Sequence, residues 1–298
     1  MFDIMENKRK YNFIYCIIAC FLSLSVFGQG EFKSRNDIGV AMQLSKKWDL
    51  GLNQNYRFDT QPYELRSLQQ SISLGYNFKK RWSFGFAYKH NTKFRKKKEN
   101  KTKYRLVAGA SYSHDIGDWE LASKVKVEYF SKEEEEYRFR VVQVFKLKTP
   151  NDLLIPSVKL SPYFISYLYY NIGGEKIKQY DNHGESMGKH VPFGWHRLRL
   201  GGGLSMKPFK NIGIYGEIVR QQEFNTDFAS YNKINVYNPK KDKYNRPFEN
   251  NYIVEFGLKY YVNSKKVRKK FKSYKKMRSP NFKREKASKE NTMAVDNN

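Results

Sequence analysis

Apolar and polar residues alternate with a period of two along most of this chain, from residue 36 to residue 262. Successive side chains of a β-strand point to opposite faces, so this period predicts strands with one apolar and one polar face. No helical period of comparable length competes with it. The clearest segment reads WSFGFAYK, in which one face carries Trp82, Phe84, Phe86 and Tyr88.

Aromatic residues are abundant although the chain as a whole is polar. They make up 16% of the residues, while the mean hydropathy is −0.79. Transmembrane strands combine these properties, because every second residue faces lipid and the others face the interior. Each of three tryptophans follows a short turn, and an aromatic residue closes two of those strands about one membrane-spanning length later. We therefore expect membrane-interface aromatics at Trp48, Trp82, Trp119, Phe58 and Tyr129.

The connections between the predicted strands alternate in length. Short turns are expected at 46–47, 79–81, 117–118 and 208–211, and the 149–156 connection falls where another is due. Longer loops are expected at 59–64, 91–103, 131–136, 171–192 and 224–251. Outer-membrane barrels have short periplasmic turns and long extracellular loops.

These patterns predict an all-β fold, an antiparallel transmembrane β-barrel of 10–12 strands. Eleven strands are recognisable, and twelve is the preferred number because single-chain bacterial barrels usually have an even count. A secreted soluble β-sandwich that binds an anionic ligand is the alternative, since it explains the alternation equally well. It explains neither the position of the tryptophans nor the long loops at one end.

The N-terminal segment reads as a secretory signal peptide. Three basic residues precede an uncharged apolar run from Phe13 to Phe27, and Val26 and Gly28 suit a cleavage site. An uncleaved anchor and a lipoprotein cut before Cys20 are the alternatives. The predicted division is a signal peptide over 1–28, a barrel over 29–262 and a basic tail over 263–298. The expected location is the outer membrane of a Gram-negative bacterium, as an integral protein.

The net charge of +27 indicates an anionic partner. The tail holds 13 Lys and Arg and three acidic residues, and is expected to be disordered and periplasmic. Nucleic acid is not expected there, so anionic envelope components are the predicted partners of the tail. Outer-membrane lipid is the predicted partner of the barrel, and lipopolysaccharide phosphates are the predicted partners of Lys96, Lys97 and Lys98. Alternatively, this basic loop pairs with the acidic run at 133–136.

Charged residues on the polar face are expected to line the lumen, because an Arg or Lys facing lipid at mid-membrane costs about 2–4 kcal/mol. Their positive excess favours anions in a pore, whereas a salt-bridged interior that conducts nothing is the alternative. The predicted lumen residues are Arg57, Lys89, Arg105, Lys124, Lys126, Glu128, Arg138, Arg140, Arg197, Arg199, Glu217, Glu255 and Lys259.

No catalytic, cofactor-binding or metal-binding constellation is recognisable. His183, His190 and His196 surround a long loop, but their spacing matches no established zinc pattern. The predicted function is a non-enzymatic barrel, structural or a narrow pore with a basic lumen. A barrel enzyme acting on lipid or lipopolysaccharide is the alternative, and it would need His196 beside a serine and a carboxylate at the lipid edge.

Five short motifs stand out along the predicted strands: Glu64-Leu65-Arg66, Gly75-Tyr76-Asn77-Phe78, Phe86-Ala87-Tyr88, Tyr137-Arg138-Phe139-Arg140 and Arg197-Leu198-Arg199-Leu200. They resemble those of domain-of-unknown-function family 2490, a group of Gram-negative outer-membrane barrel proteins. The resemblance covers about residues 36–262, and it implies the barrel and its location but no activity or catalytic residues. The basic tail departs from the family's usual ending soon after the last strand.

Overall fold

A computed structural model describes residues 31–60, 63–79, 81–96, 99–131, 137–149, 160–181, 183–225 and 233–262. The predicted signal peptide and basic tail lie outside these residues, as does the acidic run at 133–136. Within the described residues the fold is all-β, and no helix there is long and apolar enough to cross a membrane.

Eleven strands of 10 to 16 residues form one closed barrel in the described part of the chain. They are β1 (Glu31–Gln43), β2 (Trp48–Thr60), β3 (Tyr63–Asn77), β4 (Trp82–Lys93), β5 (Lys101–Ile116), β6 (Trp119–Phe130), β7 (Phe139–Lys148), β8 (Ser161–Ile172), β11 (Gly194–Phe209), β12 (Ile212–Glu223) and β15 (Asn251–Val262). Two small hairpins stand outside the barrel, formed by β9 (Ile177–Tyr180) with β10 (Ser186–His190) and β13 (Tyr237–Asn238) with β14 (Lys243–Tyr244).

The barrel closes through a parallel pair. Strands β1 and β15 run side by side from Glu31↔Asn251 to Met42↔Val262, while every other barrel pair is antiparallel. Consecutive antiparallel neighbours reverse direction at each step, so an odd number leaves the first and last strands parallel. The count of eleven lies within the predicted 10–12. The described barrel has one strand fewer than the preferred twelve, and it is antiparallel at every pair except β1–β15.

The two ends of the barrel differ in their connections. The turn end carries the connections 44–47, 78–81, 117–118 and 210–211, and the loop end carries those at 94–100, 131–138, 173–193 and 224–250. The predicted long loop at 59–64 was wrong, because β2 extends to Thr60 and β3 resumes at Tyr63. The polar residues there continue the ladder, with Asp59 opposite Glu64.

The apolar face of the sheet is the outer surface of the barrel. Trp82, Phe84, Phe86 and Tyr88 expose 44%, 48%, 52% and 39% of their area. Large exposed apolar surfaces of this kind mark sites of contact with a protein partner or a membrane. A β-sandwich would bury these rings between two sheets, and the single closed sheet excludes that alternative.

Aromatic rings form a row on the outer surface near each end of the barrel. At the turn end, Trp48 contacts Tyr76 and Trp82 contacts Tyr112, each with ring centroids 4.8 Å apart. Trp119 begins β6 at the same end, opposite Ile116. At the loop end the ring pairs are Phe58–Tyr63, Tyr129–Phe139 and Tyr170–Trp195, with centroids 4.9 to 5.3 Å apart, and exposed Phe32 stacks on buried Tyr252 at 5.3 Å.

Candidate functional site in the barrel interior

The barrel interior contains several cavities lined by charged residues. A loop-end cavity of about 180 Å³ lies below the rim, and a central cavity of about 300 Å³ follows it. A turn-end cavity of about 470 Å³ lies beside β7, β8, β11, β12 and β15. A fourth cavity of about 300 Å³ lies against the small residues of β2 to β5. All are large enough to hold water.

The residues shared by the loop-end and central cavities are all arginines. We call them the arginine layer: Arg35, Arg57, Arg105, Arg140, Arg197 and Arg199. Strands β1, β2, β5, β7 and β11 supply them, so their proximity is set by the register of the closed barrel.

Three members of the layer face carboxylates on a neighbouring strand. The Nε of Arg140 donates to Oε2 of Glu128 at 3.0 Å, and the Nε of Arg197 donates to Oε1 of Glu223 at 2.8 Å. Arg35 lies 3.7 Å from Glu255. Glu128 also lies 3.9 Å from Lys89. A buried charge needs such a partner, because removal from water is expensive.

Arg57 and Arg199 are bonded to neutral amides instead. Arg57 donates to Gln69 at 2.8 Å and to Asn55 at 3.0 Å. Arg199 donates to Oε1 of Gln221 through its Nε at 2.8 Å and a terminal nitrogen at 2.5 Å. Among the described residues neither forms an ion pair within 4.0 Å. Their charges are therefore less compensated than those of Arg140 and Arg197.

One tyrosine ring supports three arginines of the layer. The guanidinium carbons of Arg199, Arg140 and Arg197 lie 5.1, 5.2 and 5.8 Å from the centroid of Tyr169. A cation near an aromatic face is attracted by the ring quadrupole. Tyr169 lies on β8 and is buried, so its ring has little freedom to move and restrains the three guanidinium groups.

Tyrosines also hold the acidic residues of the interior. The hydroxyls of Tyr163 and Tyr167 donate to Glu217 at 3.1 and 3.3 Å. The hydroxyl of Tyr215 lies 3.0 Å from Asp37 and 2.9 Å from Glu255. These contacts connect β8, β12, β15 and β1 across the interior.

Lysines dominate the turn-end cavity. Lys146, Lys148, Lys207 and Lys259 line it, and no acidic residue is among its described lining. The Nζ of Lys146 lies 3.4 Å from the ring centroid of Tyr163, and those of Lys207 and Lys259 lie 5.3 and 5.6 Å from that of Tyr261. The positive character of the interior thus continues to the turn end.

The structure brings most of the predicted lumen residues together. Arg138 lines none of these four cavities and lies just before β7, beside Gly173. Lys124 and Lys259 line the fourth cavity, with Lys259 shared by the turn-end cavity. The central cavity is lined by Arg57, Lys89, Arg105, Lys126, Glu128, Arg140, Arg197, Arg199, Glu217 and Glu255.

Sequence reasoning missed several interior residues. Arg35 lies on the interior face of β1 but before the expected strand start at residue 36, whereas Asp37 lay on the polar face of the predicted strand and was not included among the lumen residues. Lys146 and Lys148 have the parity of Arg140 on β7, a signal that was present in the sequence. The inward tyrosines of β8 could not be recognised from the alternation of apolar and polar residues, because both faces of that strand carry aromatic residues.

The rim at the loop end carries its own charge cluster. Glu249 lies 3.6 Å from Lys33 and 3.8 Å from Arg66, which occupies a bulge in β3. Burial raises the pKa of the Glu249 carboxyl, but the charges of Lys33, Arg197 and Arg66 outweigh it and hold the pKa below its ordinary value. Lys96 pairs with Glu64 at 2.5 Å, and Lys97 and Lys98 lie outside the described residues.

The histidines do not converge. His196 occupies a bulge of β11, is fully buried and places Nδ1 3.3 Å from the carbonyl oxygen of Phe224. The Nε2 of His190 lies 2.9 Å from the carbonyl oxygen of Met187. In the part of the chain that the structure describes, no three His, Cys, Asp or Glu residues are grouped so that they could hold a metal ion.

A closed sheet with an apolar outer surface and a charged interior defines a β-barrel protein, a fold compatible with that of outer-membrane barrels. A family model described as "Protein of unknown function (DUF2490)" matches residues 36–232, and the chain belongs to that family. The match ends before β15, whereas the motif resemblance extends to residue 262. No curated protein matches the chain.

Proposed function

We propose that this protein is a non-enzymatic, integral outer-membrane β-barrel whose basic interior forms a narrow, anion-preferring pore. The observation that supports the membrane location is the outer surface, where exposed apolar side chains lie between two rows of aromatic rings. Aromatic rows flanking an apolar band are the pattern of outer-membrane barrels. The turn end would face the periplasm and the loop end the exterior.

The support for anion preference is the sign of the cavity linings. Twelve basic and six acidic residues line the loop-end and central cavities, and four lysines line the turn-end cavity. A pore whose charged lining is mostly positive favours anions. The ion pairs and the arginine layer narrow the interior, so the expected conductance is small.

Partners outside the barrel follow from the same location. Outer-membrane lipid would surround the apolar band, and the loop residues Lys96, Lys97 and Lys98 would meet lipopolysaccharide phosphates. The tail 263–298 would contact anionic envelope components, because its 13 basic residues attract polyanions in the periplasm.

The enzymatic alternative has no supporting contact. Within the described residues, no hydrogen bond joins His196 to a serine or a carboxylate, and its described partner is a backbone carbonyl. Acyl hydrolysis needs a nucleophile beside a base.

The location and the pore can be tested separately. The gene is expressed with its own N-terminal segment, and the outer-membrane fraction is run on a gel with and without boiling. We expect the protein in that fraction, migrating faster before boiling; recovery in the soluble periplasm would contradict the location.

Reconstituted barrels in a KCl gradient should show small channels whose reversal potential indicates anion preference. An absence of channel currents in bilayers that contain the folded protein would contradict the pore.

A further inference from the structure

We propose that the arginine layer is a binding site for one divalent tetrahedral oxyanion, with Arg57 and Arg199 as its principal ligands. This inference deepens the proposed function, since it names the anion for which the basic interior is built. The feature that carries it is a charge imbalance at one height of the barrel.

The imbalance is local to two arginines. Arg140 and Arg197 each have a carboxylate on the next strand, and Arg35 has Glu255. Arg57 and Arg199 have only amide oxygens as hydrogen-bond acceptors among the described residues. Arg57 also lies within electrostatic range of three arginines, Arg35, Arg105 and Arg199, and of one carboxylate, Glu255, which itself pairs with Arg35. Positive charges gathered in this way are stabilised by an anion between them.

The position offers room for a ligand. The six arginines are the only residues common to the described linings of the loop-end and central cavities, so an anion between the cavities would meet guanidinium groups from several sides. The two cavities have volumes of about 180 and 300 Å³. A small ion with its hydration water fits such a space, whereas a lipid headgroup with its chains does not.

The chemistry of the ligands selects the anion. Guanidinium is planar and offers parallel N–H donors that match two oxygens of a phosphate or sulfate, and it keeps its charge when buried. Chloride accepts hydrogen bonds without this geometric match and carries half the charge. Tyr169 restrains Arg199, Arg140 and Arg197, and Gln69 and Gln221 restrain Arg57 and Arg199, so less side-chain entropy is lost on binding.

The test is direct binding of inorganic phosphate to the purified full-length barrel in detergent, measured by equilibrium dialysis with labelled phosphate. We expect one phosphate per barrel, displaced by sulfate and by glycerol phosphate but not by an equal concentration of chloride. Arg57→Gln and Arg199→Gln should each weaken binding by about tenfold or more, because each variant removes a charged hydrogen-bond donor from the anion. Arg57→Lys should retain part of the affinity, because the charge remains and the planar donor pair is lost.

The matched control is Arg81→Gln at the turn end, which removes the same side chain from a surface pair with Asp115. It should leave phosphate affinity within about twofold. The unboiled gel shows whether each variant is folded. If a glutamine variant does not fold, phosphate binding is measured instead on the lysine variant at the same position, which should bind more weakly than the wild-type barrel. No phosphate binding by the wild-type barrel, equal binding by the Arg199→Gln barrel, or an equal loss in the control would each overturn the site. Because binding is measured without a membrane or a current, its failure is distinguishable from failure of the pore.

Discussion

Glu128 on β6 and Arg140 on β7 form a buried ion pair inside the barrel, with Nε of Arg140 3.0 Å from Oε2 of Glu128. Their side chains are 6% and 10% exposed. The guanidinium carbon of Arg140 also lies 5.0 Å from the ring centroid of Phe130, so an aromatic ring covers one side of the guanidinium group. The pair thus joins the arginine layer to the wall of the central cavity.

Breaking this pair should destabilise the barrel strongly. Glu128→Gln leaves Arg140 buried without its carboxylate, and Arg140→Gln leaves Glu128 with only Lys89, at 3.9 Å, as an ion-pair partner among the described residues, so each should lose about 3 kcal/mol of unfolding free energy. Urea unfolding of the barrel in lipid vesicles measures it. The double variant should lose less than the sum of the single variants. Arg81→Gln, which breaks an exposed pair, should cost less than about 1 kcal/mol; equal costs for Arg140→Gln and Arg81→Gln would contradict the structure.

Gly201 should not tolerate a side chain. A Cβ there would lie 2.0 Å from the carbonyl oxygen of Ile218 and 2.6 Å from Cα of Val219, both backbone atoms of the paired strand. Gly201→Ala should therefore cost about 1–3 kcal/mol through overpacking, measured by the shift of the urea midpoint. Gly85→Ala is the matched control, since its Cβ would lie 3.8 Å from the nearest atom. A Gly201→Ala barrel as stable as the Gly85→Ala barrel would show that β11 and β12 approach less closely.

A charged residue on the outer surface should lower the free energy of unfolding most at mid-membrane and least near the interface. Phe86 lies in the middle of β4 and Phe78 lies at the turn end, and each exposes 52% of its area. Phe86→Arg should cost about 2–4 kcal/mol in a bilayer, while Phe78→Arg should cost about 0–1 kcal/mol near the interface. Unfolding from vesicles gives both values. Equal costs would mean that the two side chains meet the same solvent.

Glu249 should make part of the stability depend on pH. Its folded pKa is held below the ordinary value, so its contribution is fully present above the unfolded pKa, about 4.3, and disappears as pH falls through the folded pKa. The urea midpoint of the wild-type barrel should exceed that of Glu249→Gln at pH 7, and the difference should shrink steadily as the pH falls below about 4.3. A difference that stays constant over this range would exclude the carboxylate as its source. The effect should stay below about 1 kcal/mol, because the side chain is half-exposed.

The alternation predicted the barrel because outward rings alternate with inward small or polar residues, as in Tyr88 and Lys89 of β4. The rule failed at the start of β1, where polar residues on both sides of Arg35 concealed the strand, and in β8, where Tyr169 faces inward and Tyr170 outward. The bulge at His196 shifts the parity of β11, so Trp195 packs on outward Tyr170 while Arg197 points inward.

The arginine layer could not be predicted from the sequence. Parity places Arg57 and Arg199 on the interior face, but their height depends on the stagger of eleven paired strands. One register step along any strand would separate the arginines of the layer. The parallel closure of β1 on β15, which places Arg35 opposite Glu255, exists only in the folded barrel.

Quenching of tryptophan fluorescence by brominated lipid tests most directly whether the aromatic outer surface contacts lipid. All four tryptophans, Trp48, Trp82, Trp119 and Trp195, lie on the outer face near the ends of strands. In reconstituted vesicles, lipids brominated near the headgroup should quench the fluorescence more than lipids brominated deep in the chains, and aqueous iodide should quench weakly. Strong quenching by iodide with none by either brominated lipid would contradict the membrane-spanning barrel.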